Sequence, residues 1–275
     1  MSGQDSISCL DAMDEWLKQL LALTAWPMEP PPLFGTFHLS AFILSLLIPI
    51  LLARFMKSRI RNTEAHLFHL GVFLACMELY KQLFLYLAVN DMHYNFWYFP
   101  FQLCSMPMYI CLALPLLGGR AKETAYTFLF DFTLPGALLA LIFPADMMRP
   151  YVTMTAHAFL WHAVLIYISL TVFHAGLLKK DRKSFFSAAA LYLVLAFAAF
   201  VLNLLLDPLA EYGSRPGLFY LSPYYVTDQP VFHDIALRFG IPAELVIYVL
   251  SFLLFAYLFH VITRALLFPE KTEHA

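Results

Sequence analysis

The sequence predicts an all-α membrane protein, a bundle of seven transmembrane helices with its N-terminus outside and its C-terminus inside. The first observation is composition: charged residues make up 13% of the 275 residues and hydrophobic residues 61%, against a usual charged share of ~25%. The mean hydropathy is +0.70. A soluble fold of this size needs a charged surface that 17 basic and 19 acidic side chains do not provide. The net charge of −2 and the scattered bases also exclude nucleic acid as a partner.

Seven apolar stretches are the second observation, since about 20 residues are needed to span a bilayer. Their bounds are residues 34–53, 66–89, 97–117, 126–143, 153–173, 185–206 and 242–267. The third observation is that bases gather after the first, third, fifth and seventh stretches; they are Arg54, Lys57, Arg59, Arg61, Arg120, Lys122, Lys179, Lys180, Arg182, Lys183, Arg264 and Lys271. Because basic loops stay in the cytoplasm, the N-terminus is predicted to lie outside, and an odd number of spans follows.

Three regions are expected along the chain. Residues 1–32 form a short amphipathic helix at the outer interface, with Leu10, Met13, Leu17 and Leu20 on its apolar face, and a proline-rich linker. Residues 33–268 form the seven-helix transmembrane domain, in which the loop at 207–240 is long enough to act as a lid on the outer side. Residues 269–275 form a cytoplasmic tail.

Polar side chains inside the apolar stretches are functional candidates, because burying them in a membrane is costly. Most of them fall near the midplane or in the outer half of the predicted bundle, which indicates a water-filled cavity open to the outside. The candidates for substrate contact are Gln102, Asp131, Asn203, Tyr224, Glu78 and Lys81. A second interpretation stays open: Glu78 and Lys81 are spaced for a helical ion pair, and the amides and Asp131 suit interhelical hydrogen bonds.

Cys104 is the candidate nucleophile. It lies near the outer end of the third stretch, between Pro100 and Pro107, which loosen the helix around it. His157 and His162 of the fifth stretch lie at similar depth, and an imidazole that takes the proton of a thiol turns it into a nucleophile. Five residues apart, the two histidines point about 140° away from each other on a helix, so both remain candidates for the base. The competing interpretation is that Cys104 packs as a small hydrophobic residue.

Several short motifs follow one another from residue 97 to the end of the seventh stretch. They are Phe99-Pro100-Phe101-Gln102-Leu103-Cys104, Pro135-Gly136-Ala137, Ile142-Phe143-Pro144, Trp161-His162, Asn203, Phe219-Tyr220-Leu221-Ser222-Pro223-Tyr224 and Pro230-Val231-Phe232. In this order they resemble the YwaF-type family of bacterial integral membrane proteins, which is similar to the animal transmembrane-protein-164 acyltransferases. The resemblance implies a multi-pass protein of the bacterial cytoplasmic membrane, in which Cys104 and His162, with His157 as a competitor, move acyl chains onto lysophospholipids.

The expected function is that of a membrane lipid acyltransferase or transacylase that uses no cofactor and no metal. Since the site faces outward and acyl-CoA is cytoplasmic, the acyl donor is expected to be a phospholipid. One alternative is a transporter or lipid-binding protein without catalysis, in which further copies of the chain compensate for its small size. The other is a metal-dependent hydrolase. Its ligands would come from His93, His157, His162, Asp131 and Glu244, although the sequence has no His-x-x-x-His pair among them.

Overall fold

The computed structural model describes residues 15–211 and 214–267, and the regular elements in these ranges are all helical. Six helices are long and apolar enough to cross a membrane: Thr36–Met56, Thr63–Val89, Gly119–Ile142, Val152–His174, Arg182–Leu209 and Ile241–Leu267. A further apolar helix, Leu103–Leu116, is shorter. The prediction of an all-helical multi-pass membrane protein is confirmed. The predicted tail at 269–275 lies outside the described residues.

The α-helices are numbered in chain order. They are α1 (Thr36–Met56), α2 (Thr63–Leu83), α3 (Met106–Ala113), α4 (Gly119–Asp131), α5 (Thr133–Ile142), α6 (Val152–His174), α7 (Arg182–Leu206), α8 (Phe232–Phe239) and α9 (Ile241–Leu267). A π-helical turn, Phe84–Val89, extends α2. Helix α6 is central because α1, α2, α4 and α5 all pack against it, while α7 packs on α4 and α8 on α9.

The third apolar stretch has a separate 3₁₀ turn at Phe96–Tyr98, and its continuous helix begins only at Leu103, not at Trp97 as predicted. Its first and last turns, Leu103–Ser105 and Leu114–Leu116, are 3₁₀ turns around the short helix α3. Pro107 explains the late start, because a proline ring clashes with the carbonyl four residues earlier and donates no hydrogen bond. The chain before Leu103 is therefore extended, with ψ of 161° at Gln102.

The fourth apolar stretch is broken between α4 and α5 at Phe132 (φ −108°, ψ −41°). Pro135 has no N–H to donate to the carbonyl of Asp131, so the helical ladder is interrupted there. The Phe132 ring is fully buried and stacks on Phe128 at 5.1 Å, on Tyr192 at 5.4 Å and on Phe185 at 5.7 Å between ring centroids. These stacked rings hold α4 against α7 and compensate for the break.

The segment before α1 packs on one end of the bundle. Residues 15–22 are helical, whereas Leu10 and Met13 of the predicted amphipathic helix lie outside the described residues. Lys18 Nζ contacts Asp91 Oδ1 at 2.9 Å, and the hydrogen bond and charge of Lys18 lower the pKa of Asp91 below its ordinary value. The backbone of residues 26–28 forms an antiparallel bridge to residues 150–152. The segment is therefore tied to the loops at 90–95 and 145–150, which were predicted to lie outside.

Candidate functional site

Cys104 lies in the 3₁₀ turn that opens the short third helix, and it is half-buried. Its backbone carbonyl accepts a hydrogen bond from Trp161 Nε1 at 3.0 Å. Trp161 is buried in α6, in the same turn as His157 and next to His162. The indole ring of Trp161 thus joins the backbone of the candidate nucleophile to α6, and His162 is the next residue along that helix. Trp161 was part of a motif in the sequence, but its hydrogen bond to Cys104 was not predicted.

Both histidines are held by backbone carbonyls. His162 Nδ1 bonds to the carbonyl of Ala158 at 2.8 Å, and His157 Nε2 bonds to the carbonyl of Met77 at 3.1 Å. A carbonyl only accepts, so these ring nitrogens carry the protons, and the other nitrogen of each neutral ring is left as a base. His157 also stacks on Trp161, with ring centroids 5.7 Å apart and an interplanar angle of 22°. Within the described residues, the Cys104 thiol has no hydrogen bond to either ring.

Glu78 and Lys81 form the ion pair that their spacing allowed, with Lys81 Nζ 2.8 Å from Glu78 Oε2. Gln82 Nε2 donates to Glu78 Oε1 at 2.7 Å and to the carbonyl of Tyr98 at 2.6 Å. The pair is largely buried and braces the extended chain before Leu103. It also lies within electrostatic range of Cys104 and His157. The position of Glu78 and Lys81 is therefore compatible with a structural ion pair and with contact to a substrate.

Gln102 and Asn203 hold one turn of the loop at 207–240, here called the 217–220 turn. Gln102 donates to the carbonyl of Gly217 at 3.1 Å and accepts from the N–H of Phe219 at 2.8 Å. Asn203 donates to the carbonyl of Leu218 at 3.0 Å and accepts from the Leu218 N–H at 2.9 Å. Each amide bonds with its oxygen and its nitrogen to the turn. Both residues, predicted to contact substrate, have the backbone of this turn as their partner.

The backbone of the 217–220 turn has a conformation that is energetically unfavourable for two of its residues. Phe219 and Tyr220 have φ of 53° and 56°, in the left-handed region, which is costly for bulky side chains. Gly217 has no room for a side chain, since an added Cβ would lie 2.3 Å from the Trp97 ring and 2.4 Å from the Tyr225 hydroxyl. The four hydrogen bonds from Gln102 and Asn203 explain how this shape is maintained.

Tyr220 connects the turn to the Cys104 region. Its hydroxyl donates to Asp146 Oδ2 at 2.5 Å, and its ring packs on Tyr248 of α9 with centroids 6.1 Å apart. Burial, with the Asp146 carboxylate beside it, raises the pKa of Tyr220 well above its ordinary value, so the hydroxyl keeps its proton. The hydroxyls of Tyr220 and Tyr248 lie within electrostatic range of Cys104. Sequence reasoning missed Asp146 and Tyr248; the signal for Asp146 was its place as the one acid between residues 144 and 151.

Asp131 has other partners than the predicted substrate site. It is fully buried, and its Oδ2 accepts from His260 Nδ1 at 2.7 Å and from Arg264 at 3.1 Å. Arg264 also donates to the carbonyl of Lys179, in the loop between α6 and α7. Arg264 was predicted to be one of the basic residues that follow the seventh stretch, whereas it is buried near the end of α9. Asp131 thus belongs to a second polar cluster, on the side of the basic loops.

The remaining predicted residues lie at the edge of the site or apart from it. Tyr224 is 43% exposed, with the Arg215 guanidinium 5.6 Å from its ring centroid. Glu244 is buried at the start of α9, and its Oε1 has no hydrogen-bond partner among the described residues. Among residues 15–211 and 214–267, no three His, Cys, Asp or Glu side chains are grouped so as to hold a metal ion. The ligand set that the hydrolase alternative requires is therefore not brought together in that part of the chain.

An outward cavity at Cys104 was expected from the depth of the polar residues. Two cavities in the described part of the chain are lined by other residues than Cys104, His157 and His162. The larger, of about 210 Å³, lies between the carboxyl ends of α1 and α6. In this conformation the 217–220 turn packs against the Cys104 region, where the cavity was expected.

A chain with six membrane-length apolar helices and buried polar side chains between them is a multi-pass membrane protein. A family model matches residues 33–263, and the chain belongs to the TMEM164 family. The resemblance to the transmembrane-protein-164 proteins, based on the short motifs, is thereby confirmed. No curated protein and no solved structure matches the chain.

Proposed function

We propose that this protein is an integral membrane acyltransferase or transacylase for phospholipids, with Cys104 as the nucleophile and His162 as the base. One observation carries the proposal: the hydrogen bond from Trp161 Nε1 to the Cys104 carbonyl holds the thiol-bearing turn against the turn of α6 that bears His162. Membership of the TMEM164 family supports it.

The proposed reaction has two steps. The sulfur of Cys104 attacks the ester carbonyl carbon of a donor phospholipid, a C–S bond forms, and the ester C–O bond breaks. The thiol proton passes through His162 to the oxygen of the departing lysophospholipid. A hydroxyl of an acceptor lysophospholipid then attacks the thioester carbonyl, a C–O bond forms, and the C–S bond breaks. The hydroxyl proton passes through His162 to the departing sulfur, which regenerates the thiol. No oxidant, metal or nucleotide enters either step.

His162 is favoured as the base because of its hydrogen bond to Ala158. That bond fixes the proton on Nδ1 and leaves Nε2, the outer nitrogen of the ring, with a free lone pair. His157 is the competitor. Its free nitrogen is Nδ1, and its ring is fixed on Trp161 by stacking and on Met77 by a hydrogen bond. A His162→Gln variant is expected to lose transfer, and His157→Gln to keep most of it.

The oxyanion of each step needs hydrogen-bond donors. The amides of Gln102 and Asn203 are engaged with the 217–220 turn, and the Ser105 N–H donates to the carbonyl of Gln102. We therefore assign this role to the backbone N–H groups of Leu103 and Cys104, at the start of the Leu103–Leu116 helix. Cys104 lies in its first turn, where the positive end of the helix dipole favours negative charge. The start of the third helix at Leu103, instead of further back in the apolar stretch, therefore contributes directly to catalysis.

The proposed orientation places this chemistry in the outer leaflet of a bacterial cytoplasmic membrane. It follows from seven spans with the N-terminus outside, the short Leu103–Leu116 helix being the third. The basic loops after α1 and α6 and before α4 support it by the positive-inside rule. Acyl-CoA is then on the other side, and the donor is a phospholipid. A donor lipid reaches Cys104 when the 217–220 turn moves aside, so the loop at 207–240 acts as a lid.

The test is acyl transfer by the purified protein, from a phospholipid with a labelled acyl chain to an unlabelled lysophospholipid. Loss of a covalent nucleophile is expected to lower the rate roughly 10³-fold or more in Cys104→Ala. Cys76→Ala is the matched control, since Cys76 is an exposed thiol on α2. Mass spectrometry is expected to find the labelled chain on Cys104 as a thioester. Unchanged transfer in Cys104→Ala would remove Cys104 as the nucleophile.

A lipid-binding protein without catalysis is the second candidate, favoured by the absence of a hydrogen bond between the Cys104 thiol and either histidine in the described residues. It predicts that phospholipid protects Cys104 from a thiol reagent while no acyl chain is transferred. The acyltransferase predicts protection together with transfer. The two measurements on the same preparation therefore separate the candidates.

A further inference from the structure

Residues 221–230 follow the 217–220 turn and form no helix or strand. One side of this segment is buried, with Leu221, Ser222 and Thr227 at most 5% exposed, whereas Tyr224 on the other side is exposed. Residues 222–228 make no backbone-to-backbone hydrogen bond within the described part of the chain. Segments with few backbone hydrogen bonds to the rest of the fold open at low free energy. The closed position of this segment therefore depends on a small number of side-chain contacts.

The backbone is strained at both ends of the 221–230 segment. Phe219 and Tyr220 precede it with φ of 53° and 56°, and Val231 follows it with φ of 72°. A positive φ is costly for bulky residues and most of all for a β-branched residue such as valine. Movement of the segment relieves this strain if φ changes at these residues, and hinges are residues that absorb such changes. The two ends are therefore suited to act as hinges.

One carboxylate oxygen contacts side chains near both ends of the segment. The Tyr220 hydroxyl donates to Asp146 Oδ2 at 2.5 Å, and Gln229 Nε2 lies 3.5 Å from the same oxygen. Hydrogen bonds to an ionised acceptor are stronger than those between neutral groups. Asp146 lies in a 3₁₀ turn between α5 and α6, where its neighbours Met147 and Met148 are buried. The carboxylate therefore has a fixed position on the bundle.

The 217–220 turn lies against the chain that leads into Cys104. The Phe219 ring packs on Phe101 and the Tyr220 ring packs on Trp97, with centroids 6.1 Å apart in each pair. Both contacted rings precede Cys104 in the chain by at most seven residues. Movement of Tyr220 away from Asp146 therefore displaces the part of the loop that packs beside the thiol.

We propose that Asp146 and Tyr220 form a latch, whose hydrogen bond keeps the 217–220 turn and the 221–230 segment closed over Cys104. When this bond breaks, both move away about the strained residues and the thiol is uncovered. The proposal rests on the lid role assigned above to this loop, but it concerns access to the thiol and not the chemistry that follows. Asp146 and Tyr220 are positioning residues in this proposal.

The test is the rate at which N-ethylmaleimide modifies Cys104 in the purified full-length protein in detergent, with the site located by tandem mass spectrometry. Cys76, an exposed thiol, is the reference in the same sample. Tyr220→Phe removes only the hydroxyl and is expected to raise the rate about tenfold, the effect of one hydrogen bond to a charged group. Asp146→Ala is expected to raise it at least as much. The double variant is expected to react no faster than Asp146→Ala, because both changes remove the same bond.

Tyr167→Phe is the matched control, because the Tyr167 hydroxyl, on a buried residue of α6, bonds to His66 at 2.9 Å. Equal acceleration in Tyr167→Phe would show general loosening and overturn the latch. An unchanged rate in Tyr220→Phe, or additive effects in the double variant, would overturn it too. Asn203→Leu, which removes other bonds to the same turn, separates latch from lid. Acceleration in Asn203→Leu but not in Tyr220→Phe would leave a lid without this latch, whereas no acceleration in either would overturn the lid as well.

Discussion

Replacing Asn203 by leucine tests whether this side chain holds the 217–220 turn. Asn203 is fully buried, and its amide makes two hydrogen bonds to Leu218, at 3.0 Å and 2.9 Å. Leucine has the same branched arrangement of four side-chain heavy atoms and removes both bonds at once. The N–H of Leu218, itself fully buried, is then left without its partner, whereas the Leu218 carbonyl keeps a hydrogen bond from the Leu221 N–H at 3.0 Å.

The size of the effect follows from the Leu218 N–H. A buried polar group that loses its partner costs about 1–3 kcal/mol, and polar contacts within membrane proteins tend to the lower end, which gives about 1–2 kcal/mol here. At 1.36 kcal/mol per factor of ten, the open form of the turn becomes about 5- to 30-fold more populated.

Native-state proteolysis measures this population, because cleavage tracks the open form when opening is fast. We expect cleavage within residues 207–240 of Asn203→Leu to accelerate by that factor, while cleavage within residues 57–62 does not change. Leu204→Ala is the control, as Leu204 is the next residue on α7 and is 37% exposed. Unchanged cleavage within residues 207–240 of Asn203→Leu would refute the reasoning.

The remaining predictions concern three other contacts. Gly217→Ala displaces the turn and lowers the melting temperature, whereas Gly118→Ala, with nothing within 4 Å of its added Cβ, does not; equal melting temperatures would contradict the steric argument. Asp131→Asn leaves Arg264 as an uncompensated buried charge and lowers the free energy of unfolding by about 3–5 kcal/mol. The double variant with Arg264→Met recovers part of this loss, and no recovery would mean that the two residues do not interact. Asp91 forms an ion pair with Lys18 of the helix at residues 15–22, and this pair lowers the pKa of Asp91. The stability that the ion pair contributes is therefore present above the ordinary pKa of Asp91 and is lost as the pH falls through the lowered value. Proteolysis of that helix is expected to be faster in Asp91→Asn than in the wild type at neutral pH and equal at low pH, and equal rates at both would exclude the ion pair.

The helices of this protein could largely be predicted from hydropathy, because length and apolar content decide which segments cross a membrane. Five of the seven predicted stretches agree closely with α1, α2, α6, α7 and α9. The two that differ contain prolines in their interiors, but so does α1, which continues unbroken through Pro49. Pro107 and Pro135 were visible in the sequence, but the size of each break depends on packing, such as the stacking of Phe132 on its neighbours.

The candidate site could be predicted by residue type but not by partner. Glu78 and Lys81 are near in sequence, and their ion pair followed from helical spacing. Gln102 bonds to Gly217 and Phe219, more than a hundred residues away, and both partner atoms are backbone. Side-chain patterns carry no signal for such partners. Asp131 and Arg264 are 133 residues apart in the sequence, so helical spacing could not predict that their side chains interact.

The short third helix has a consequence for the surrounding lipid. Leu103–Leu116 contains one α-helical segment of 8 residues between two 3₁₀ turns of 3 residues each, which gives a length of about 24 Å. A hydrocarbon layer is about 30 Å thick, so this helix is too short to match it. Bilayers respond to such hydrophobic mismatch by thinning locally. If this helix is the third span, as proposed above, thinning beside Cys104 would bring head groups and ester bonds deeper along the protein wall, toward the level of the thiol.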